Sequence, residues 1–195
     1  QAIQEIAVLP ALQSDSLLKV SEAWIDRVGI SEVIGVDAFV KHVGEYEQKN
    51  FANSGQIADA GVGILKSYGV FVFSEELLPN LFENQDVFSN LSIKQDVKLI
   101  DFLYGLCDRV NNSEILPILS NTPFILDENG IACKPSQMFF PSDYKSENEL
   151  ADEVIVMAQA IYDHYKKQRE CIDWFNKMGV RELDESNYVE ELFTH

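Results

Sequence analysis

Cysteine, histidine and positive charge are all scarce in this 195-residue chain, and each shortage removes a class of function. Its three cysteines, Cys107, Cys133 and Cys171, are odd in number, widely spaced and free of any CxxC pair. A disulfide framework or a structural zinc site needs clustered or paired thiols, so reduced cysteines in a cytoplasmic protein are expected. His42, His164 and His195 are equally scattered, and no HExxH pattern occurs. No metal and no cofactor is expected. Lys and Arg number 15 against 32 Asp and Glu, for a formal net charge of -17. That field repels duplexes and anionic bilayers, because nucleic-acid affinity rests largely on cations meeting phosphates. The small basic cluster Lys166, Lys167 and Arg169 lies beside Glu170 and Asp173 and reads as a solvated helix face. No apolar run approaches the roughly 18 residues of a membrane span. The start, QAIQEIAVLP, lacks a signal-peptide pattern and an initiator Met, so residue 1 reads as a cut inside a longer polypeptide.

What is present is a core-forming composition, 46% hydrophobic, in a chain long enough to bury about 70% of its unfolded surface. The most informative stretch is NTPFILDENGIACKPSQMFFP, Asn121 to Pro141. Pro123 to Leu126 reads as a strand, Asp127 to Gly130 as a turn, and Ile131 to Lys134 as the returning strand. Asn129-Gly130 tolerates the positive φ that a hairpin reversal requires. Pro135 and Pro141 lack amide donors and stop the ladder on either side of Met138, Phe139 and Phe140.

A similar outline opens the chain, with a strand from about Ala7, a turn at Ser14 to Ser16, and a second strand carrying Leu17, Leu18 and Val20. Leu9-Pro10 parallels Thr122-Pro123, Lys19-Val20-Ser21 parallels Lys134-Pro135-Ser136, and Ala23-Trp24-Ile25 parallels Met138-Phe139-Phe140. Helices are expected over Val36–Val43 and Ile57–Tyr68, with Glu45–Gly55 as a polar loop between them. SEELLPNLF, residues 74–82, suggests a short helix broken by Pro79. Ser92 with Gln95 is a capping-box signature, and the helix it opens carries Ile93, Val97, Ile100, Leu103, Cys107 and Val110 as an inner stripe. Polar SDYKSENE, residues 142–149, has linker composition. Helix is expected over Leu150–Gln168, although Val154-Ile155-Val156 suits a strand equally well. A further helix over Arg169–Met178 ends at Gly179, and Asp184 or Ser186 caps a last one. WFNKMGV (174–180) echoes ILKSYGV (64–70) and, more loosely, WIDRVGI (24–30). Either a common helix-end pattern or a duplicated module accounts for this.

The search for reactive constellations ends without one. AGVGILKS (60–67) ends as a phosphate loop should but has Ala60 and Leu65 where the two obligatory glycines belong. His164 and Cys171, seven residues apart on a helix, would lie about 10 Å apart, too far for proton transfer. Glu75-Glu76 and Asp152-Glu153 point apart on a helix. No GxSxG elbow occurs.

The order P-F-I-L-D-E-N-G-I-x-x-K-P-S-Q-x-F-F-P, a polar link and helix, then W-F-N-K-M-G-V-R-E-L resembles a module of large sacsin-like proteins. The similarity covers about Pro117 to Phe193, with a weaker match over Val8 to Val43. Such proteins carry an ATPase-like domain of the Hsp90 (GHKL) type, and in them comparable segments lie outside the nucleotide pocket. No Asn-bearing helix for Mg²⁺ and no DxGxG-like turn occurs here, so no ATPase residue of the family transfers to this sequence.

These readings converge on an α+β chain, mostly helical with two small β-hairpin elements, either divided into residues 1–141 and a helical region 142–195 or continuous as one domain. The expected function is a non-catalytic interaction or scaffold region that couples an ATPase domain to a partner or effector. Its partner is protein, namely other domains of the same polypeptide, rather than nucleic acid or membrane. Met138, Phe139 and Phe140 are the candidate interaction anchor, with a buried satellite core as the alternative. The competing reading is a small hydrolase or transferase whose site is assembled from scattered acids.

Overall fold

The computed structural model describes residues 7–10, 17–20, 23–35, 50–52, 64–65, 71–73, 77–82, 87–109, 112–142 and 154–183. The chain is α+β, with helix outweighing strand, and it divides into two compact units, Gln1–Val87 and Phe88–His195. The helices expected over 36–43 and after 184 lie outside the described residues, as do the acidic pairs at 75–76 and 152–153.

In the first unit, β1 (Ala7–Pro10) pairs antiparallel with β2 (Leu17–Lys19), as expected. β3 (Ala23–Asp26) then runs parallel to two later strands, β4 (Asn50–Ala52) on one side and β5 (Phe71–Phe73) on the other. β4 lies within the stretch expected to be loop, because a three-residue strand that pairs with distant chain leaves no periodic signal of its own. Leu9, Leu18, Val20, Ala23 and Ile25 form a buried cluster, with Leu65 packed against it. After β3 the chain turns into α1 (Ile30–Ile34). Asp26 makes that turn: its Oδ1 accepts the Val28 and Gly29 amides, and its Oδ2 accepts the Ser31 amide and hydroxyl. WIDRVGI is therefore strand followed by a helix start, so its likeness to the helix end WFNKMGV is superficial. α2 (Leu78–Phe82) contains Pro79 in its first turn, where a missing amide costs no hydrogen bond, so the proline opens this helix instead of breaking it.

The second unit begins with α3 (Ile93–Arg109). Its capping box forms: the Ser92 hydroxyl meets the Gln95 amide at 3.4 Å, and the Ser92 amide donates to Gln95 Oε1 at 3.1 Å. The buried face is Asp96, Leu99, Ile100, Leu103, Leu106 and Cys107, so the true stripe is rotated from the expected one. Ile93 and Val97 are half-buried, and Val110 is outside the described residues. α4 (Asn112–Asn121) follows, and its last carbonyls are satisfied by side chains: Ser120 to Leu116, Asn121 to Pro117 and Thr122 to Ile118.

The hairpin comes next, β6 (Ile125–Leu126) against β7 (Ala132–Cys133). Positive φ falls on Gly130 alone, while Asp127 Oδ1 accepts the Asn129 and Ile131 amides and holds the turn. A 3-10 turn at Pro135–Gln137 leads into β8 (Met138–Phe139), which runs parallel to β9 (Ile155–Val156). The expected division after residue 141 is thus bridged: backbone on its two sides pairs in one sheet. The polar stretch 142–149 joins two strands of one unit and does not separate domains. Of the helix expected over Leu150–Gln168, described residues 154–158 are not helical and α5 spans Gln159–Tyr165, after which α6 (Arg169–Lys177) completes the described unit.

The two units share one internal arrangement. In each, a hairpin is followed by a 3-10 conformation, at Val20 and at Pro135–Gln137, and then by a strand flanked by parallel partners. Ala23 pairs with Asn50 and Trp24 with Phe51, as Met138 pairs with Ile155 and Phe139 with Val156. On the other side, Trp24 pairs with Phe71 as Phe139 pairs with Arg181. Phe71 and Arg181 each stand two residues after the glycine of the sequence echo, so the registers match throughout. The first strand is the exception to the sequence alignment: by register Leu9 corresponds to Ile125 and Pro10 to Leu126, not to Pro123.

Candidate functional site

Met138, Phe139 and Phe140 lie in the core of the second unit, each with 0% of its surface exposed. The expectation that they form an anchor for an outside partner is therefore corrected in favour of the buried alternative. The prolines delimit them, but the segment between is itself a central strand. Its ladder is complete on both sides: the Met157 amide donates to the Phe139 carbonyl at 2.9 Å, the Phe140 amide to Arg181 at 2.8 Å, and the Arg181 amide to Met138 at 3.1 Å. The hairpin joins the same network, since the Ala158 amide donates to the Leu126 carbonyl and the Glu128 amide to Val156. The Arg181 guanidinium covers the Phe139 ring at 4.5 Å, where the ring's negative face attracts a cation.

Gly179 lets α6 meet this strand. The Val180 amide donates to the Phe175 carbonyl at 3.1 Å and the Gly179 amide to Asn176 at 3.0 Å, the paired bonds of a Schellman stop. Gly179 has φ +100, and a Cβ there would stand 3.0 Å from the Ser136 Cα. The glycine that ends WFNKMGV and the serine that follows Pro135 thus pack backbone on backbone. Behind them lies an aromatic cluster centred on Phe175, whose ring centroid is 6.2 Å from Phe140, 5.6 Å from Tyr165 and 5.3 Å from Trp174. Tyr165 reaches α3, donating toward Asp101 at 2.8 Å and the Val97 carbonyl at 3.0 Å. Burial, first, and Asp101, second, raise its phenol pKa. The Trp174 indole N–H is buried without a hydrogen bond of ordinary geometry; the acceptor it faces is the weakly accepting Cys107 sulfur.

All three thiols are free, and burial raises the pKa of each, Cys133 to about 11. A nucleophilic thiol needs the opposite shift. Cys171 donates to Gln168 Oε1 at 3.5 Å from α6, whereas His164 is exposed on α5 and stacks on Tyr165. Native protein at pH 8 should therefore react with a disulfide reagent more slowly at Cys133 than free cysteine does, by on the order of a hundredfold, as its smaller thiolate fraction requires. Labelling followed by peptide mapping reads this directly, and a Cys133 that reacts as fast as free cysteine would contradict it.

Among the described residues, Asp96 is the carboxylate whose pKa is raised, and sequence reasoning missed it. Burial raises its pKa to about 7, against a smaller lowering by the Leu126 amide that it accepts at 3.0 Å. A carboxyl of that acidity suits general acid–base work, but Asp96 has 0% exposure and meets only backbone, so a substrate has no access to it. The signal was available: Asp96 lies three residues after Ile93 and four before Ile100, on the helix's apolar side. Lys166, Lys167 and Arg169 are exposed, and Lys166 pairs with Asp163 at 2.6 Å, as a solvated face does. Of the AGVGILKS segment, only residues 64–65 are described, and they are helical. Among the described residues, no three His, Cys, Asp or Glu side chains converge as metal ligands, and no helix is long and apolar enough to cross a membrane.

The chain has no matching family model. No curated protein and no solved structure matches it either.

Proposed function

We propose that this chain is a non-catalytic interaction region of a large sacsin-like protein, coupling an Hsp90-type ATPase domain to a partner or effector. The observation that supports this reading most is the interlock of the two segments that carry the resemblance. Pro123–Pro141 and Trp174–Arg181 are separate in sequence, yet they share a backbone ladder at Phe140 and Arg181 and a close contact at Gly179 and Ser136. Residues that resemble one module are thus used together as one structural unit. The arrangement is also built twice in the chain, as expected where a scaffold is made from repeated modules.

The partner is a protein with a basic face. A net charge of -17 steers such a partner and sets its association rate, whereas the tightly held aromatic core is not available for contact. The test mixes the chain with the ATPase-type region of its polypeptide at low and at physiological salt. Association at micromolar concentrations, weakening with salt, is expected. Absence of association in both buffers, together with turnover of a small molecule by the chain alone, would overturn the proposal in favour of a hydrolase or transferase.

A further inference from the structure

Two carboxylates are buried among the described residues, and the fold treats them oppositely. Asp26 has both oxygens occupied, by three amides and a hydroxyl. Asp96 has one: Oδ2 accepts the Leu126 amide, while Oδ1 is buried with no hydrogen-bond partner. The Leu126 amide belongs to β6, and the Leu126 carbonyl accepts the Ala158 amide at the start of α5. Asp96 therefore sits where α3 meets the hairpin and, through the single residue Leu126, α5. By register the first unit has Pro10 in place of Leu126, a residue with no amide to offer, so this junction is particular to the second unit.

We infer that Asp96 is a protonation-operated latch: the neutral carboxyl seats α3 on the hairpin, and ionisation loosens that junction. When the proton leaves, the Leu126 hydrogen bond strengthens, but a charge-bearing oxygen remains in apolar surroundings. Leaving a charge there costs more than leaving a hydroxyl without an acceptor. Relief comes from water reaching Oδ1, which requires α3 and β6 to part. Among the described residues, no cation is placed to prevent this. Lys94 and Lys98 on α3 are exposed, and α4 carries no charged side chain over residues 115–121. From α5 the facing group is the Tyr165 hydroxyl, which burial first, then Asp101 and, least, Asp96 hold against ionisation. On the hairpin, Asp127 is committed to the turn amides. Among the described residues, the titratable groups that face Asp96 are thus acidic, and none offsets the charge.

The direction of the effect follows from proton counting. Between the ordinary carboxylate range and about 7, the folded chain holds a proton that the unfolded chain has lost. Stability therefore falls as pH rises through that window and levels off above it. The inference is independent of the interaction reading.

The test follows the Asp96 side-chain carboxyl and the Leu126 amide by NMR in the full chain, with thermal unfolding alongside, from about pH 5 to pH 8.5. Both resonances are expected to titrate together with a midpoint near 7. The Leu126 amide should exchange faster above that midpoint than base catalysis alone provides. Asp96→Asn keeps an acceptor and removes the charge, so the Leu126 transition should vanish. The wild-type folding constant should fall relative to the variant by up to about tenfold per pH unit across the window. A carboxyl midpoint below 5, or equal pH slopes in wild type and variant, would overturn the latch. If the variant does not fold, the wild-type carboxyl titration decides alone.

Discussion

Gly179→Ala should destabilise the second unit by about 2–5 kcal/mol, a loss that at its upper end cancels the stability of a domain at the low end of the ordinary range. Two effects add. A side chain at φ +100 stores strain of roughly 1–2 kcal/mol. The new Cβ would also meet the Ser136 Cα at 3.0 Å, and since that atom is backbone, the 3-10 turn must shift, at roughly 1–3 kcal/mol. Gly130→Ala is the control. It also has positive φ, +76, but nothing lies within 4 Å of a Cβ there, so only the strain of about 1–2 kcal/mol should appear. Denaturant unfolding of both variants separates the effects. Equal losses at the two positions would mean that the Ser136 contact contributes nothing.

Phe175→Ala should be as damaging, at about 3–5 kcal/mol, through lost burial and a cavity that its neighbours cannot fill. Its ring is fully buried and touches Phe140 just after β8, Tyr165 from α5 and Trp174 from α6. Each neighbour is fixed by other contacts: Phe140 by the Arg181 ladder, Tyr165 by Asp101 and Val97, and Trp174 by edge contact with Tyr104 at 5.6 Å. Collapse around the cavity is therefore limited, which places the loss toward the upper part of the range. Chemical unfolding followed by tryptophan fluorescence checks this. A loss below about 1 kcal/mol would show that the cluster is not the core of the unit.

Local chemistry made part of this fold legible. Asn129-Gly130 marks a reversal because glycine alone accepts the backbone that the turn needs, and Ser92 with Gln95 marks a helix start because each satisfies the other's orphan amide. Gly179 marks a helix stop for the same kind of reason. What escaped is what distant chain decides. β4 and β9 are three- and two-residue strands whose partners lie far off in sequence, and nothing in NFA or IV alone specifies a parallel neighbour. The linker composition of 142–149 suggested a boundary that strand pairing contradicts. Met138, Phe139 and Phe140 show the same limit: proline-bracketed apolar residues suit an exposed anchor and a buried strand equally, and the choice depends on Arg181, more than forty positions on. Asp96 stood within an apolar stripe, but only tertiary packing left one oxygen with the Leu126 amide and the other with none.

The most direct measurement is native-state hydrogen exchange at the Phe140, Met157, Ala158 and Arg181 amides of the intact chain. These four tie the hairpin, β8, β9 and the end of α6 into one ladder. They are expected to share one high protection factor and to lose it together as denaturant rises, the behaviour of a single cooperative unit. Exchange of Arg181 and Phe140 at unprotected rates while Met157 and Ala158 remain protected would show that the helix-end segment does not join the hairpin strand. It would remove the interlock on which the proposed module rests.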